Sequence, residues 1–139
     1  MACQKPAPCN WMNHSIGLNG AHLVSVASLW DSENNAAGSE NRVELYLDGA
    51  AAKEWFARLS DDRTAIEREV GQPLIWYDPD TAKMCRVFLR TAADIRDEAR
   101  WPEQFEWLRT RVELLARVFG PRLRALAGGS ESGLRASSA

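Results

Sequence analysis

The stretch RVELYLDGAAAKEWFARLSDDRTAIEREVG, residues 42–71, decides the fold. It begins in alternation: Val43, Leu45 and Leu47 face one way, Glu44 and Tyr46 the other, which is the period of a half-buried strand. The period then changes. Asp48-Gly49 opens a helix with Asp48 as its expected N-cap. From Ala50 to Val70 the apolar residues Ala52, Trp55, Phe56, Leu59, Ile66 and Val70 form one stripe of a single predicted helix. Gly71 and Pro73 end it. A strand with one apolar face, followed directly by a helix with one apolar stripe, calls for a sheet covered by helices.

Outward from this stretch the pattern repeats. Leu23–Trp30 reads as a β-rich strand before it, and polar Asp31–Asn41 as a long hairpin loop between the two. Leu74–Tyr77 is a short strand, Asp78-Pro79-Asp80-Thr81 has turn chemistry, and Met84–Leu89 is a further strand. In the latter, Cys85, Val87 and Leu89 share one face; Met84, Arg86 and Phe88 share the other. Pro102 suits a first helical turn, and Phe105, Leu108, Val112, Leu115 and Phe119 make an amphipathic seam that Gly120-Pro121 is expected to stop. The order β-β-α-β-β-α predicts an α+β two-layer sandwich, an antiparallel sheet with two amphipathic helices on one face. Residues 1–20 read as a poorly ordered N-terminal segment, 21–127 as a single domain, and the Gly/Ser/Ala-rich 128–139 as a disordered tail.

Composition removes several functions. With 139 residues and 45% apolar content the chain can build one core. No apolar run approaches the ~20 residues of a membrane span. No secretory signal is legible, and three cysteines are too few for a disulfide scaffold, so a reducing cytoplasm is the expected compartment. A net charge of −2 excludes a strongly basic nucleic-acid binder but not a local basic patch. Residues 1–85 hold 7 Lys and Arg against 12 Asp and Glu, whereas residues 86–126 hold 9 Arg against 6 acids, so any basic patch belongs to the second half. Arg109, Arg117, Arg122 and Arg124 lie along or after the last helix, but Glu106 and Glu113 among them favour a solvated, salt-bridged face over a phosphate-binding one.

The stretches Val43-Glu44-Leu45-Tyr46-Leu47, Lys53 with Trp55-Phe56 and Leu59, Arg63 with Ile66-Glu67, Gly71 with Leu74 and Trp76, Arg86, Trp101-Pro102, Trp107-Leu108 and Val118-Phe119 together resemble the domain-of-unknown-function family 4268. The resemblance runs from about Trp11 to Leu126. Domains of this family often stand C-terminal to nuclease-like modules of the PD-(D/E)XK class in bacterial proteins. The resemblance therefore implies a bacterial, nuclease-associated accessory domain. Set beside that arrangement, the chain reads as lacking an upstream module, and so as either a stand-alone or a truncated copy.

The residues argue against nuclease chemistry within the domain. A PD-(D/E)XK centre needs carboxylates to hold Mg²⁺ and a lysine to assist the attacking water. Pro79-Asp80 supplies the first dipeptide, but no Glu/Asp-x-Lys follows on a strand, so it reads as a turn. Cys3, Cys9, His14 and His22 lack the close spacing of a zinc knuckle. Cys85 reads as a small buried hydrophobe, with no histidine near in sequence to activate it. Gly17-x-x-Gly20 lacks the following Lys-Ser/Thr of a phosphate loop and reads as a turn. No metal and no cofactor is expected.

Two constellations remain. Arg63 lies in the middle of the first helix's apolar stripe with Glu67 one turn later. Either its stem packs over the helix edge with its head in water, or it forms a buried ion pair with Glu67. The second constellation is the sheet's uncovered face, where Glu44, Tyr46, Arg86 and Phe88 share parity and Trp76 is expected to join them. Aromatics with an Arg and a Glu form a contact surface for a protein partner or a second copy, with single-stranded nucleic acid as a further option. The plainer reading is that residues 1–22 or an identical chain cover this face. The expected function is thus an interaction module working through the open face. The rival is a small metal-dependent nuclease or hydrolase with a site around Glu44, Glu67 and Arg86, and a third option is a truncated, functionless copy.

Overall fold

The structure, a computed structural model, describes residues 11–31 and 36–138. Five antiparallel strands form one sheet: β1 (Trp11–Leu18), β2 (Ala21–Asp31), β3 (Ala36–Leu47), β4 (Ile75–Tyr77) and β5 (Cys85–Ala92). Their order across the sheet is β1-β2-β3-β5-β4. Among the described residues, the α-helices α1 (Ala52–Asp61) and α2 (Arg63–Val70) stand between β3 and β4, and α3 (Trp101–Ser138) comes after β5. The fold is α+β, as the residue pattern predicts.

Register assigns every strand residue to a face, because directly paired residues of antiparallel strands project to the same side. Leu23 pairs with Leu45, which pairs with Val87; Val43 pairs with Leu89, and Leu47 with Cys85. These residues are almost fully buried and join one cluster with Trp55, Phe56 and Leu59 of α1, Ile66 and Val70 of α2, and Leu115, Val118, Phe119 and Leu123 of α3. All three helices therefore cover one face. The other face carries Val24, Glu44 and Phe88 in one row, and His22, Tyr46 and Arg86 in the next.

Four expectations are corrected. Residues 1–20 were expected to be poorly ordered, but Trp11–Leu18 is a strand, held antiparallel to β2 by pairs such as His14 with Leu23. Its Asn, His, Ser and Gly give it little strand propensity of its own, so the pairing edge of β2 creates it. Asp31–Asn41 was expected to be a loop, but β2 continues to Asp31 and β3 starts at Ala36. The helix predicted over 50–70 breaks at Asp62 into α1 and α2, and its N-cap is Ala51 rather than Asp48. The last helix does not stop at Gly120-Pro121 and runs to Ser138, through the segment expected to be a disordered tail. Phe119 and Leu123 flank Pro121 and are both fully buried, and Leu126 packs at the margin of the core, so core burial on either side outweighs the lost backbone donor. Conversely, Phe105 of the predicted seam is 49% exposed.

One close approach sets the chain's geometry beside the central strands. A Cβ at Gly20 would stand 2.9 Å from the Gly49 Cα, and Gly20 has φ 83. The β1–β2 turn and the start of the β3–α1 connection can meet only because both residues are glycine, and the Asp48 N–H donates to the Gly20 carbonyl at 3.0 Å. The Gly17-x-x-Gly20 pair is thus a hairpin turn, with Gly17 also at positive φ.

Candidate functional site

On the helix-free face, alternation along β3 places Glu40, Arg42, Glu44 and Tyr46 in one column, and β5 sets Arg86, Phe88 and Arg90 beside it. The acids and arginines interlock. Glu44 Oε2 accepts from Arg42 Nε at 2.8 Å and from Arg86 Nη1 at 2.9 Å. Glu40 accepts from Arg42 at 2.7 Å and from Arg90 at 2.5 Å. The guanidinium carbon of Arg42 lies 5.9 Å from the Phe88 ring centroid, and that of Arg86 lies 5.4 Å from it. Arg86 also stands 4.7 Å from the Tyr77 ring. The result is a ladder in which each carboxylate is shared by two arginines and the arginines lie against aromatic rings.

Burial follows from this interlocking. Glu40 is 0% and Glu44 4% exposed although no helix among the described residues lies over them. Desolvation opposes the Arg42 charge, but its two carboxylate partners outweigh it and hold its pKa above the ordinary value. The face ends at β4, an edge strand where Ile75 is 40% and Tyr77 41% exposed.

Glu44, Tyr46, Arg86 and Phe88 therefore share one face as expected, with Tyr46 set against His22 at 5.2 Å between ring centroids. Trp76 does not join them. It pairs with Val87, which turns it to the helix side, where its ring meets Phe56 edge-on at 5.9 Å. Its neighbours Ile75 and Tyr77 take the open side instead. The three residues of β4 are too few to show a period, so only the register reveals which is which.

Arg63 and Glu67 do meet, Nε to Oε2 at 3.4 Å, but the pair is not buried: the Arg63 side chain is 54% exposed. The break at Asp62 moves Arg63 to the start of α2, off the continuous stripe that placed it in the core. Its guanidinium lies 5.7 Å from the Trp76 ring. Glu67 is the centre of this group. Its Oε2 accepts the Leu74 N–H at 2.8 Å and Trp76 Nε1–H at 3.0 Å, tying α2 to β4. These bonds hold its pKa below the usual carboxylate value, the Leu74 backbone bond first, against desolvation.

The remaining candidates separate. His14 and His22 lie on opposite faces of the sheet; His14 is 3.0 Å from the Ser25 hydroxyl, and burial lowers its pKa. Cys3 and Cys9 lie outside the described residues. Burial pushes the Cys85 thiol up to about 11, away from a reactive thiolate. Arg109 pairs with Glu113 at 2.7 Å and with Glu106, while Arg122 joins α3 to Asp62 at 2.9 Å and to Glu69, so these two arginines are engaged on the protein's own surface. Among the described residues no three His, Cys, Asp or Glu side chains gather to hold a metal.

The family model described as Domain of unknown function (DUF4268) matches residues 1–123. The chain belongs to that family. No curated protein matches this DUF4268 member, and no solved structure does. Among its described residues no helix is long and apolar enough to cross a membrane.

Proposed function

We propose that this DUF4268 domain is a non-catalytic interaction module that binds a protein partner across the open sheet face, at the β4 edge. One observation carries the reading: of the three large apolar residues that are strongly exposed among the described residues, Ile75 and Tyr77 stand together on this three-residue edge strand. An edge strand offers unpaired backbone groups to an incoming segment, and exposed side chains on alternate positions offer the anchors. The arginines favour protein over nucleic acid as the partner. Arg42, Arg86 and Arg90 already serve Glu40 and Glu44, so a phosphate backbone would have to compete with carboxylates held at hydrogen-bond distance.

The enzymatic alternative has less support. Glu67 acts on the helix side and Glu44 with Arg86 on the other, so the sheet separates the set that acid–base chemistry would need. By resemblance the module's setting is bacterial and nuclease-associated; the low cysteine count adds a reducing cytoplasm to the reading, and the residues call for no cofactor.

A photo-crosslinker placed at Tyr77 tests the reading, with one at Arg58, exposed on α1, as the comparison. In cells, adducts at position 77 that contain protein, resist nuclease and are absent at position 58 are the expected result. Their mass distinguishes a second copy of the chain from another protein. Adducts to nucleic acid alone, equal yields at both positions, or none at 77 overturn it.

A further inference from the structure

At the end of the sheet away from Gly20, the first turns of α3 and the segment after β5 enclose a cavity of about 560 Å³ lined by Asn41, Thr91, Arg100, Glu103, Gln104 and Trp107, among others. The volume lies within the ~300–1,000 Å³ range of small-molecule sites. Asn41 is the unusual member. It sits on the helix side of β3, one pair along from Val43, paired across the sheet with Thr91 and Ala27. It is 1% exposed, and both its amide nitrogen and its amide oxygen lack a hydrogen-bond partner. Leaving a buried donor and acceptor unpaired is destabilising, and an apolar residue here would avoid that cost.

Several other polar groups around the cavity already have partners. The Ser39 hydroxyl donates to the Ala93 carbonyl, Gln104 Nε2 donates to the Asp94 carbonyl at 2.8 Å, and Arg100 pairs with Glu103 at 2.7 Å. The indole of Trp107 has the Arg111 guanidinium 5.3 Å from its ring centroid. The cavity thus has an unpartnered carboxamide buried in its wall, the indole of Trp107 beside it and a rim whose acids, Asp94 and Glu103, outnumber Arg100.

We infer that this cavity binds an uncharged planar heterocycle with adjacent donor and acceptor on one edge, the chemistry of a nucleobase, as the free base or nucleoside. A side-chain carboxamide matches such an edge with two parallel hydrogen bonds, as Asn does when it reads adenine. Base stacking on an indole supplies the rest of the binding energy. The acidic excess at the rim disfavours a phosphate. The site lies on the helix side of the sheet, whereas the proposed protein contact lies on the other, so the two readings stand or fall separately.

The test is ¹H–¹⁵N NMR titration of the full chain with adenosine, guanosine, cytidine and uridine, with ribose alone as control, following the Asn41 side-chain amide. The expected result is a saturable shift of that amide pair with at least one nucleoside and none with ribose. Asn41→Leu is expected to weaken binding at least tenfold while leaving the melting temperature unchanged or raised, because it removes two unpaired polar groups. If Asn41→Leu does not fold, Asn41→Ser, which is smaller and still polar, carries the affinity measurement. No shift with any nucleoside, binding unchanged in the variant, or a melting temperature lowered by several degrees without nucleoside binding overturns the inference. The last outcome would make Asn41 a residue satisfied by structural water.

Discussion

On the helix side of β3, Val43, Leu45 and Leu47 are each fully buried under apolar helices; on the other side of the same strand, Glu40 and Glu44 are buried almost as deeply under side chains of the sheet itself. The first surface is dried by non-directional packing, which tolerates repacking at similar volume. The second is dried by guanidinium–carboxylate pairs and by arginines lying on Phe88 and Tyr77, which depend on direction. A sheet face without helices is therefore not a blank surface. Among the residues whose exposure is described, the large apolar side chains standing open on this face are Ile75 and Tyr77 at its β4 end, and the proposed contact is placed there.

The comparison breaks most visibly if the ionic side contributes nothing. Leu45→Ala should destabilise by about 2–5 kcal/mol through lost burial and a cavity. Glu44→Ala should approach it, at about 2–4 kcal/mol, because it strands the largely buried Arg42 and Arg86 with fewer acceptors. Urea unfolding of both variants checks this. A Glu44→Ala loss under ~0.5 kcal/mol would show that the open face adds nothing to folding.

The next effect separates the ladder from its edge. Arg86→Ala leaves Glu44 with Arg42, and the Arg86 side chain is itself 25% exposed, so about 1–2 kcal/mol is expected. Tyr77→Ala removes a side chain at the open edge and should stay within ~0.5 kcal/mol. A Tyr77 loss as large as that of Arg86 would mean that Tyr77 belongs to the ladder rather than to a binding edge.

What the sequence made legible follows the same division. The alternation of residues 42–47 and 85–89 is long enough to display its period, so both faces of β3 and β5 were readable, and Glu44, Tyr46, Arg86 and Phe88 were placed together. The polar run before Asn41 concealed the rest. Its Glu40 and Asn41 look like loop residues because nothing local shows that Arg42 and Arg90 will close over one and a cavity will lie beside the other. β1 and the continuation of α3 past Pro121 depend on partners distant in sequence, the edge of β2 and the core around Phe119. The sequence puts Trp76 on the wrong face because the strand around it, at three residues, is too short to display a period.

The smallest effect sharpens the contrast between carboxylates on the two sides. Glu67 ties α2 to β4 through the Leu74 N–H and Trp76 Nε1–H, and its pKa is lowered in the folded chain. A lowered folded pKa means that the stabilisation is complete above the unfolded value, near 4.3, and is lost as pH falls through the folded one. His14, whose pKa is also lowered, acts in a different window: folding disfavours its protonation, so its effect sets in as pH drops through about 6.5. Measuring between pH 5.5 and 3 therefore reduces the His14 contribution. Exposed Glu69, Asp78 and Glu106 are lowered too and give a background common to both proteins. Glu67→Gln keeps an acceptor oxygen but not its charge, so it should be less stable than the parent at pH 7, by about 1 kcal/mol, and the gap should narrow as pH falls below the unfolded value toward 3. Chemical unfolding at both pH values reads the difference. A gap that persists unchanged at pH 3 would show that shape rather than charge at position 67 holds α2 to the sheet edge.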